Sequence, residues 1–157
     1  MSGDADPVAA ADLVRKELRA WLDEHFTPEV REAVAHRHDG TTHEEPFEAL
    51  RAWNATLFDA GYAAPAWPER WGGRGADVDD QLAHHEEMSR AGAPRPVNAI
   101  GVANIAPAIM TYGTPEQQER FLRPMLRGDD IWSQGMSEPE AGSDLASLRG
   151  RAVADGD

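Results

Sequence analysis

The chain contains no cysteine, a single lysine and no long apolar run. Without cysteine it can form neither disulfides nor zinc–thiolate sites, and it has no thiol nucleophile. No stretch approaches the roughly 18 apolar residues that a membrane helix needs. The first ten residues, MSGDADPVAA, carry acids and no basic, apolar leader, so neither a secretory signal nor an arginine-rich transit peptide is expected. These absences favour a cytoplasmic protein.

Positive charge is also scarce, because 28 acidic residues stand against 15 basic ones and the formal net charge is −13. Such a surface repels phosphate backbones, and the sequence has no basic stripe, so nucleic-acid binding is not expected. Hydrophobic residues make up 41% of the 157 residues and include five tryptophans. That is enough to bury the core of one ordinary domain, or of one domain plus part of another.

Apolar residues recur at helical spacing through most of the chain, which predicts six or seven helices. Several predicted ends carry strong local signals. Asp6-Pro7 and Thr27-Pro28 pair a capping side chain with a first-position proline, and Thr114 to Gln117 forms a near-complete capping box. Asp77 is a further capping residue and Gly128 a typical helix stop. The predicted helices run over residues 7–26, 28–34, 47–58, 77–91, 97–110 and 114–127, with a polar loop at 36–46.

Residues 61–76, GYAAPAWPERWGGRGA, combine two prolines and four glycines with three aromatic residues. Because aromatic side chains favour burial, this stretch is predicted to be an ordered loop and not a flexible linker. Gly72, Gly73 and Gly75 do not form a dinucleotide-binding fingerprint, since a third glycine at the right spacing is missing and no strand precedes them. A structural role is predicted for these glycines.

The pattern changes after Gly128. Ile131, Trp132 and Met136 form a short run compatible with a strand, and residues 148–153 again alternate apolar and polar side chains. The predicted fold is therefore mainly α, with a multihelical domain over residues 1–128. Residues 129–157 are predicted to begin a second domain with the first one or two strands of an incomplete β-barrel, which two strands alone would not stabilise.

Metal binding is not expected. His36, His38 and His43 lie in the polar loop, where solvated side chains are the simpler interpretation. His84 and His85 are adjacent on a predicted helix and point different ways, whereas a zinc pair needs spacing i,i+4. Surface or helix-packing roles are predicted for the latter two.

The stretch SEPEAGSD, residues 137–144, is the strongest candidate for a binding site. Gly142 permits a positive φ and close backbone approach, and it is followed by the exposed hydroxyl of Ser143 and the carboxylate of Asp144, which is predicted to cap. Successive backbone N–H groups in such a turn can form an anion-binding nest. The alternative is a serine-rich turn that caps itself locally. Residue types alone leave both interpretations open.

Residues 112–147, YGTPEQQERFLRPMLRGDDIWSQGMSEPEAGSDLAS, resemble the acyl-CoA dehydrogenase family of flavoproteins. In that family a capped helix leads through a Gly-acid turn into a strand and a Ser/Thr-Glu-Pro-x-x-Gly-Ser-Asp signature. The upstream PERWGGRGAD (68–77) and EEMSRAGAP (86–94) are similar to further segments of the family. The resemblance runs in the right order over residues 45–154. The matching positions are Gly113, Thr114, Gln117, Phe121, Leu122, Gly128, Ser137, Glu138, Pro139, Gly142, Ser143 and Asp144.

The resemblance implies that FAD lies along residues 134–143. Gln134, Gly135, Met136 and Ser137 would line the flavin, with backbone hydrogen bonds from Met136 and a hydroxyl from Ser137. The turn at Gly142 and Ser143 would approach the pyrophosphate, and Ser143 would also lie beside the acyl-CoA substrate. Trp132 would either pack beside the isoalloxazine ring or be an ordinary core tryptophan.

The reaction of the family is α,β-dehydrogenation of an acyl-CoA thioester. A carboxylate base removes the α proton while the β hydrogen leaves as hydride to flavin N5. That base, usually a glutamate, lies in a C-terminal helical domain beyond this sequence. By the resemblance, no catalytic residue is assigned here, and the 157-residue chain is expected to be inactive alone and to bind FAD weakly at best.

The expected partners are an acyl-CoA substrate, an electron-transfer flavoprotein or similar acceptor, and sister subunits of a homo- or heterotetramer. Two alternatives remain. One is a non-catalytic subunit or interaction module of a hetero-oligomeric acyl-CoA dehydrogenase. The other is a flavin oxidase of the same fold, which passes electrons to oxygen. Fatty, sterol-derived and aryl acyl groups are all compatible with the sequence.

Overall fold

A computed structural model of the chain describes residues 7–35, 44–151 and 153–156. Over these residues it is mainly α-helical, which confirms the predicted fold class. The α-helices are α1 (Pro7–His25), α2 (Pro28–Ala35), α3 (Glu44–Asp59), α4 (Val78–Ala91), α5 (Ala106–Tyr112) and α6 (Pro115–Arg127). A π-helical turn, Gly101–Ile105, leads into α5, and short 3₁₀ turns cover Glu69–Trp71 and Leu145–Ser147. None of the described helices is both long and apolar enough to cross a membrane.

The predicted helix signals at Asp77, Thr114 to Gln117 and Gly128 are confirmed. The side chain of Asp77 accepts a hydrogen bond from the Asp80 N–H at 2.9 Å. Thr114 and Gln117 form the reciprocal capping box, with donor–acceptor distances of 3.3 and 2.8 Å. Gly128 ends α6 with a φ of 88°, a conformation that only glycine adopts at low cost. The predicted cap Asp6 lies outside the described residues.

Two helix predictions need correction. Helix α3 begins at Glu44, inside the predicted 36–46 loop. Pro46 is tolerated because it lies in the first turn, where its missing N–H would have no helical partner. The predicted 97–110 helix is helical from residue 99 to 112 but contains the π turn, and it is not buried all round. Ala106 is fully buried, whereas Ile100 is 39% and Tyr112 87% exposed.

One hydrophobic core joins α1, α3, α6 and the 61–76 loop. Leu57 on α3 and Leu122 on α6 have no exposed surface, and Trp67 and Trp71 of the loop are buried beside them. This confirms that the loop is ordered by its aromatic side chains. The other large members of the core are Leu18, Leu22, Phe26, Trp53, Phe58, Tyr62, Met88, Met125 and Leu126.

Helices α1 and α4 are joined by ion pairs around one buried carboxylate. Glu87 is 3% exposed and pairs with Arg19 at 2.7 Å and with Arg90. The hydrogen bond from Arg19, reinforced by Arg90 and opposed by burial, lowers the pKa of Glu87 to about 2. A nearby pair, Arg15 with Glu86 at 2.9 Å, is more exposed. The charge of Glu87 is therefore compensated inside the helix pair.

The described residues of 129–156, here called the C-terminal segment, do not form the predicted strands. Their pairing is limited to an isolated bridge between Glu138 and Ala141. A strand is stabilised by hydrogen bonds to a neighbouring strand, and the described residues supply no such neighbour. The described part of residues 7–128 is called the helical body below.

Candidate functional site

The stretch predicted to contact FAD leaves the helical body at Trp132. The Trp132 N–H donates to Asn98 Oδ1 at 2.9 Å. Its indole ring packs edge-on against Phe121, with ring centroids 5.5 Å apart and planes at 89°. Trp132 is thus half-buried against the body. This packing matches the core-tryptophan interpretation and leaves the flavin interpretation untested.

The next residues, 134–137, are all exposed along one edge of the body. Gln134 Oε1 accepts a hydrogen bond from Asn104 Nδ2 at 3.4 Å. Met136 is 52% exposed, which is unusual for a large apolar side chain. Within the described residues the Ser137 hydroxyl has no partner, and neither do the backbone N–H groups of 134–137. The Ser137 hydroxyl and the backbone N–H groups of 134–137 are therefore free to donate hydrogen bonds to a ligand.

The turn that follows is closed by two backbone hydrogen bonds between Glu138 and Ala141, at 3.0 and 3.1 Å. Gly142 does not use a positive φ, so the freedom that the sequence permitted is not needed here. Asp144 was predicted to cap, but its side chain makes no capping hydrogen bond. Among the described residues Ser143 is exposed and unpaired, whereas Ser147 donates to the Asp144 carbonyl at 2.9 Å. Local self-capping therefore uses Ser147 and not Ser143.

The role of the Glu138 side chain was not predicted from the sequence, where Glu138 was only one of the positions that match the Ser/Thr-Glu-Pro-x-x-Gly-Ser-Asp signature. Its Oε2 accepts from the Arg149 N–H at 2.9 Å and its Oε1 from the Gly150 N–H at 2.6 Å. A carboxylate is suited to this position because both of its oxygens accept and neither donates. The contact closes the loop that carries Gly142 and Ser143. Its partners lie 11 and 12 residues away, which local patterns do not reveal.

The residues on this edge fit a flavin nucleotide in their chemistry. A Cβ added at Gly135 or Gly142 would meet nothing within 4 Å, so the backbone is open to close approach at both glycines. The free hydroxyls of Ser137 and Ser143 and the unpaired N–H groups can donate to ring carbonyls or phosphate oxygens. Such donors, together with small residues, are what a protein supplies to a flavin.

A cavity of about 750 Å³ lies on the helical body between α4, the 62–67 loop and the chain from 92 to 103. Its walls are largely apolar and include Tyr62, Trp67, Met88 and Val102. It shares the helix of residues 99–112 with the exposed residues 134–137, because Ala103 lines the cavity and the adjacent Asn104 contacts Gln134. The sequence does not predict this cavity, since its walls come from three separated stretches of chain.

His84 forms part of the cavity wall and packs as predicted. It is 7% exposed, and its Nε2 lies 3.1 Å from the Tyr62 carbonyl oxygen. Burial, with neighbouring His85 as a smaller contribution, lowers the pKa of His84 to about 4. The ring is therefore neutral at pH 7, Nε2 donates, and the buried Nδ1 has no partner among the described residues.

The described residues contain no group of three or more side chains that could hold a metal ion. His85, next to His84, is exposed. His36, His38 and His43 lie outside the described residues.

Comparison with known proteins agrees with this arrangement of helices. Residues 9–129 match the family profile described as acyl-CoA dehydrogenase, N-terminal domain. Over 143 residues the chain is 42% identical to the acyl-CoA dehydrogenase IpdE1 of Mycobacterium tuberculosis, covering 91% of this chain and 37% of that protein. The acyl-CoA dehydrogenase FadE26 of the same organism is 40% identical, with 92% and 35% covered.

Two solved structures share the fold of this chain. The ChsE4–ChsE5 complex of Mycobacterium tuberculosis matches with a TM-score of 0.69 at 38% identity, covering 100% of this chain and 37% of that one. The steroid ACAD Tcur3481–Tcur3483 matches with a TM-score of 0.69 at 36% identity, covering 95% and 37%. The chain belongs to the acyl-CoA dehydrogenase family. It spans little more than a third of the length of these relatives.

Proposed function

We propose that the whole protein containing this chain catalyses the FAD-dependent α,β-dehydrogenation of an acyl-CoA thioester. The observation that carries the proposal is the largely exposed edge of residues 134–143, called the cofactor edge below. It presents unpaired hydroxyls and backbone N–H groups beside two glycines whose Cβ positions are open. In a chain of the acyl-CoA dehydrogenase family, such an edge suits a flavin nucleotide.

The residues of the edge divide into two groups. Gln134, Gly135, Met136 and Ser137 would hold the ring system, with backbone donors from 134–137 and the hydroxyl of Ser137. Gly142 and Ser143 would approach the pyrophosphate, with Ser143 also next to the acyl-CoA. When bound, FAD supplies the acceptor for the hydride that leaves the β carbon. The chain's own residues bind and orient, and none of them is assigned as the base.

Residues 1–128 would form the N-terminal helical domain and 129–157 the start of a middle β domain. Because the chain spans 37% of its IpdE1 relative, the base and the other flavin contacts are proposed to lie outside this sequence. We therefore expect the 157-residue chain to be inactive alone. The electron acceptor would be an electron-transfer flavoprotein or a protein of similar function.

The cavity supports a proposal for the class of acyl group, if the acyl chain occupies it as we propose. Its volume of about 750 Å³ and its apolar aromatic walls, such as Tyr62 and Trp67, suit a bulky ring-bearing group better than a thin straight chain. A structural neighbour of 36% identity is described as a steroid ACAD. A sterol-derived or similar polycyclic acyl-CoA is the substrate class that we propose.

A second function is supported by the neighbours. Two of them are two-component assemblies, ChsE4 with ChsE5 and Tcur3481 with Tcur3483. In such an assembly one chain can lack the catalytic base and serve as a structural subunit. This chain would then supply its cofactor edge to a site completed by a sister subunit.

The test compares serine variants in the whole protein. Ser137→Ala and Ser143→Ala should each weaken FAD binding about three- to tenfold, the equivalent of one hydrogen bond. Ser147→Ala is the matched control, because its hydroxyl already donates to the Asp144 carbonyl, and it should change the affinity less than twofold. Flavin absorbance and fluorescence quenching on titration with FAD measure the affinities.

The whole protein should also reduce a dye acceptor when given a polycyclic acyl-CoA. A whole protein that binds no FAD would overturn the proposed function. FAD binding without turnover, restored by adding a sister subunit, would favour the second function over the first.

A further inference from the structure

The buried side chain of Asn98 links its own stretch of chain to helix α6 and to the C-terminal segment through hydrogen bonds. Its side chain is 1% exposed. The Nδ2 group donates to the carbonyl oxygens of Met125, at 2.9 Å, and Asp130, at 2.8 Å. Its Oδ1 accepts the Trp132 N–H at 2.9 Å. A side-chain amide fits because it carries two donors and an acceptor on one planar group, which a carboxylate or an apolar side chain cannot supply.

The surroundings hold the Asn98 side chain in place. A Cβ at Gly101, in the π-helical turn, would lie 2.7 Å from Asn98 Oδ1. Glycine at position 101 therefore leaves room for the amide. Two further contacts hold the chain that follows the Asn98 bond. The Trp132 ring packs edge-on against Phe121 with ring centroids 5.5 Å apart, and Gln134 accepts a long hydrogen bond of 3.4 Å from Asn104.

Asn54 provides an internal comparison. It is equally buried, at 1% exposure, and its Nδ2 donates to the Leu126 and Arg127 carbonyl oxygens at 2.9 and 2.8 Å. Its Oδ1 accepts from the Val97 N–H at 3.3 Å. Both asparagines therefore satisfy carbonyl groups at the C-terminal end of α6, which would otherwise be buried without partners. Only Asn98, of the two, also bonds the chain that enters the cofactor edge.

We propose that Asn98 is a positioning residue that sets where the cofactor edge leaves the helical body. This inference rests on the proposed function of residues 134–143 in binding FAD. Hydrogen bonds to a ring or phosphate need donor–acceptor distances near 2.7–3.2 Å, whereas a slip of one residue moves an extended chain by about 3.3 Å and reverses its side chains. The bond from Trp132 N–H to Asn98 Oδ1 prevents that slip.

The first experiment measures amide hydrogen exchange in the 157-residue chain. With Asn98→Ala we expect the Trp132 amide to exchange at least about tenfold faster than in the unmodified chain, since one buried hydrogen bond is lost. Asn54→Ala should change that amide less than about twofold once its effect on global unfolding is subtracted. Equal effects of the two substitutions would overturn the proposal.

A second variant guards against misfolding of Asn98→Ala. Gly101→Ala leaves the Asn98 amide intact but crowds its Oδ1, so it should speed exchange at Trp132 in the same direction by a smaller factor. Unchanged protection at Trp132 in a folded Gly101→Ala chain would contradict the proposal.

The second experiment uses the whole protein and FAD. Asn98→Ala should weaken FAD binding about tenfold and shift the flavin absorption band, whereas Asn54→Ala should change the affinity less than about twofold. Faster exchange at Trp132 without any change in FAD affinity would overturn the positioning role. An unmodified protein that binds no FAD would instead refute the proposed function. The hydrogen-exchange result at Trp132 does not depend on FAD binding, so the two failures can be told apart.

Discussion

The helical body and the C-terminal segment differ in what their side chains contact. Among the described residues, the body contains the buried residues of the main hydrophobic core, the ion pairs around the buried Glu87 and the two buried asparagines. In the described part of 129–156, Ala141 alone is buried, at 3% exposure. The polar groups proposed to bind FAD lie in that exposed segment. Stability is thus concentrated in one region and the candidate binding groups in the other.

This separation has a physical reason. A group that holds a ligand must keep its donors unpaired until the ligand arrives, and unpaired donors are costly when they are buried. They are tolerated at Ser137 and Ser143 because water reaches both hydroxyls. The segment therefore depends on the body for its position, through the hydrogen bond from Trp132 to Asn98, and contributes little to the core in return.

The largest difference in stability between the two regions is expected when one apolar side chain is removed from each. Leu122→Ala deletes a fully buried side chain of α6 and should lower the free energy of unfolding by about 2–5 kcal/mol. Met136→Ala, at a side chain 52% exposed, should change it by less than about 0.5 kcal/mol. Urea denaturation followed by circular dichroism measures both. Similar losses at the two positions would refute the separation of core and segment.

A smaller contrast is expected from adding a methyl group at a glycine in each region. In the body, a Cβ at Gly73 would lie 2.0 Å from the Trp67 carbonyl oxygen, whereas at Gly142 it would meet nothing within 4 Å. Gly73→Ala should therefore cost about 1–3 kcal/mol of stability, because backbone must move. Gly142→Ala should cost less than about 0.5 kcal/mol. Thermal unfolding of the two variants side by side checks the prediction, and a stable Gly73→Ala protein would contradict it.

The smallest difference in stability between the two regions is expected when one carboxylate in each is replaced by an amide. Glu87→Gln should lower stability at pH 7 by about 1–2 kcal/mol, since charge-assisted hydrogen bonds are lost but the two half-exposed arginines regain water. Because folding lowers the pKa of Glu87 from 4.5 to about 2, its contribution is complete above pH 4.5 and is lost as the pH falls towards 2. The stability difference between the unmodified chain and Glu87→Gln should accordingly shrink between pH 4.5 and about 3.

Glu138→Gln is the matched change in the C-terminal segment. It disrupts the bonds from the Arg149 and Gly150 N–H groups, yet it should alter global stability by less than about 0.5 kcal/mol at any pH, because these bonds lie at the surface. Urea titrations at a series of pH values compare the two variants. A pH-independent effect of Glu87→Gln would mean that the buried carboxylate is not held ionised by Arg19.

Much of the helical body was predictable from sequence. The caps at Asp77, Thr114 and Gly128 use contacts within a few residues, so local patterns reveal them. The α3 start at Glu44 was not foreseen, because the loop before it shows no apolar period and the first helical turn needs none. The predicted strands after Gly128 are not formed in the described residues, because strand pairing depends on distant partners that the local pattern cannot supply.

For the candidate site, the resemblance to acyl-CoA dehydrogenases located the edge at 134–143, and its role stays a prediction. The freedom expected at Gly142 is not used, and Asp144 does not cap. The contributions of Glu138 and Asn98 went unnoticed. Their partners lie 11 or more residues away in the chain, and no spacing rule connects them.

The sequence alone determined most of the helices, the caps at Asp77, Thr114 and Gly128, and the membership in the acyl-CoA dehydrogenase family, because these depend on local spacing and on motifs read along the chain. Only the tertiary structure decided which polar groups are buried and paired and which remain free. In the sequence Asn98 and Glu87 look like ordinary surface residues, but folding places each where an uncompensated polar group would be costly. Folding likewise leaves Ser137 and Ser143 exposed, because no element among the described residues packs over them.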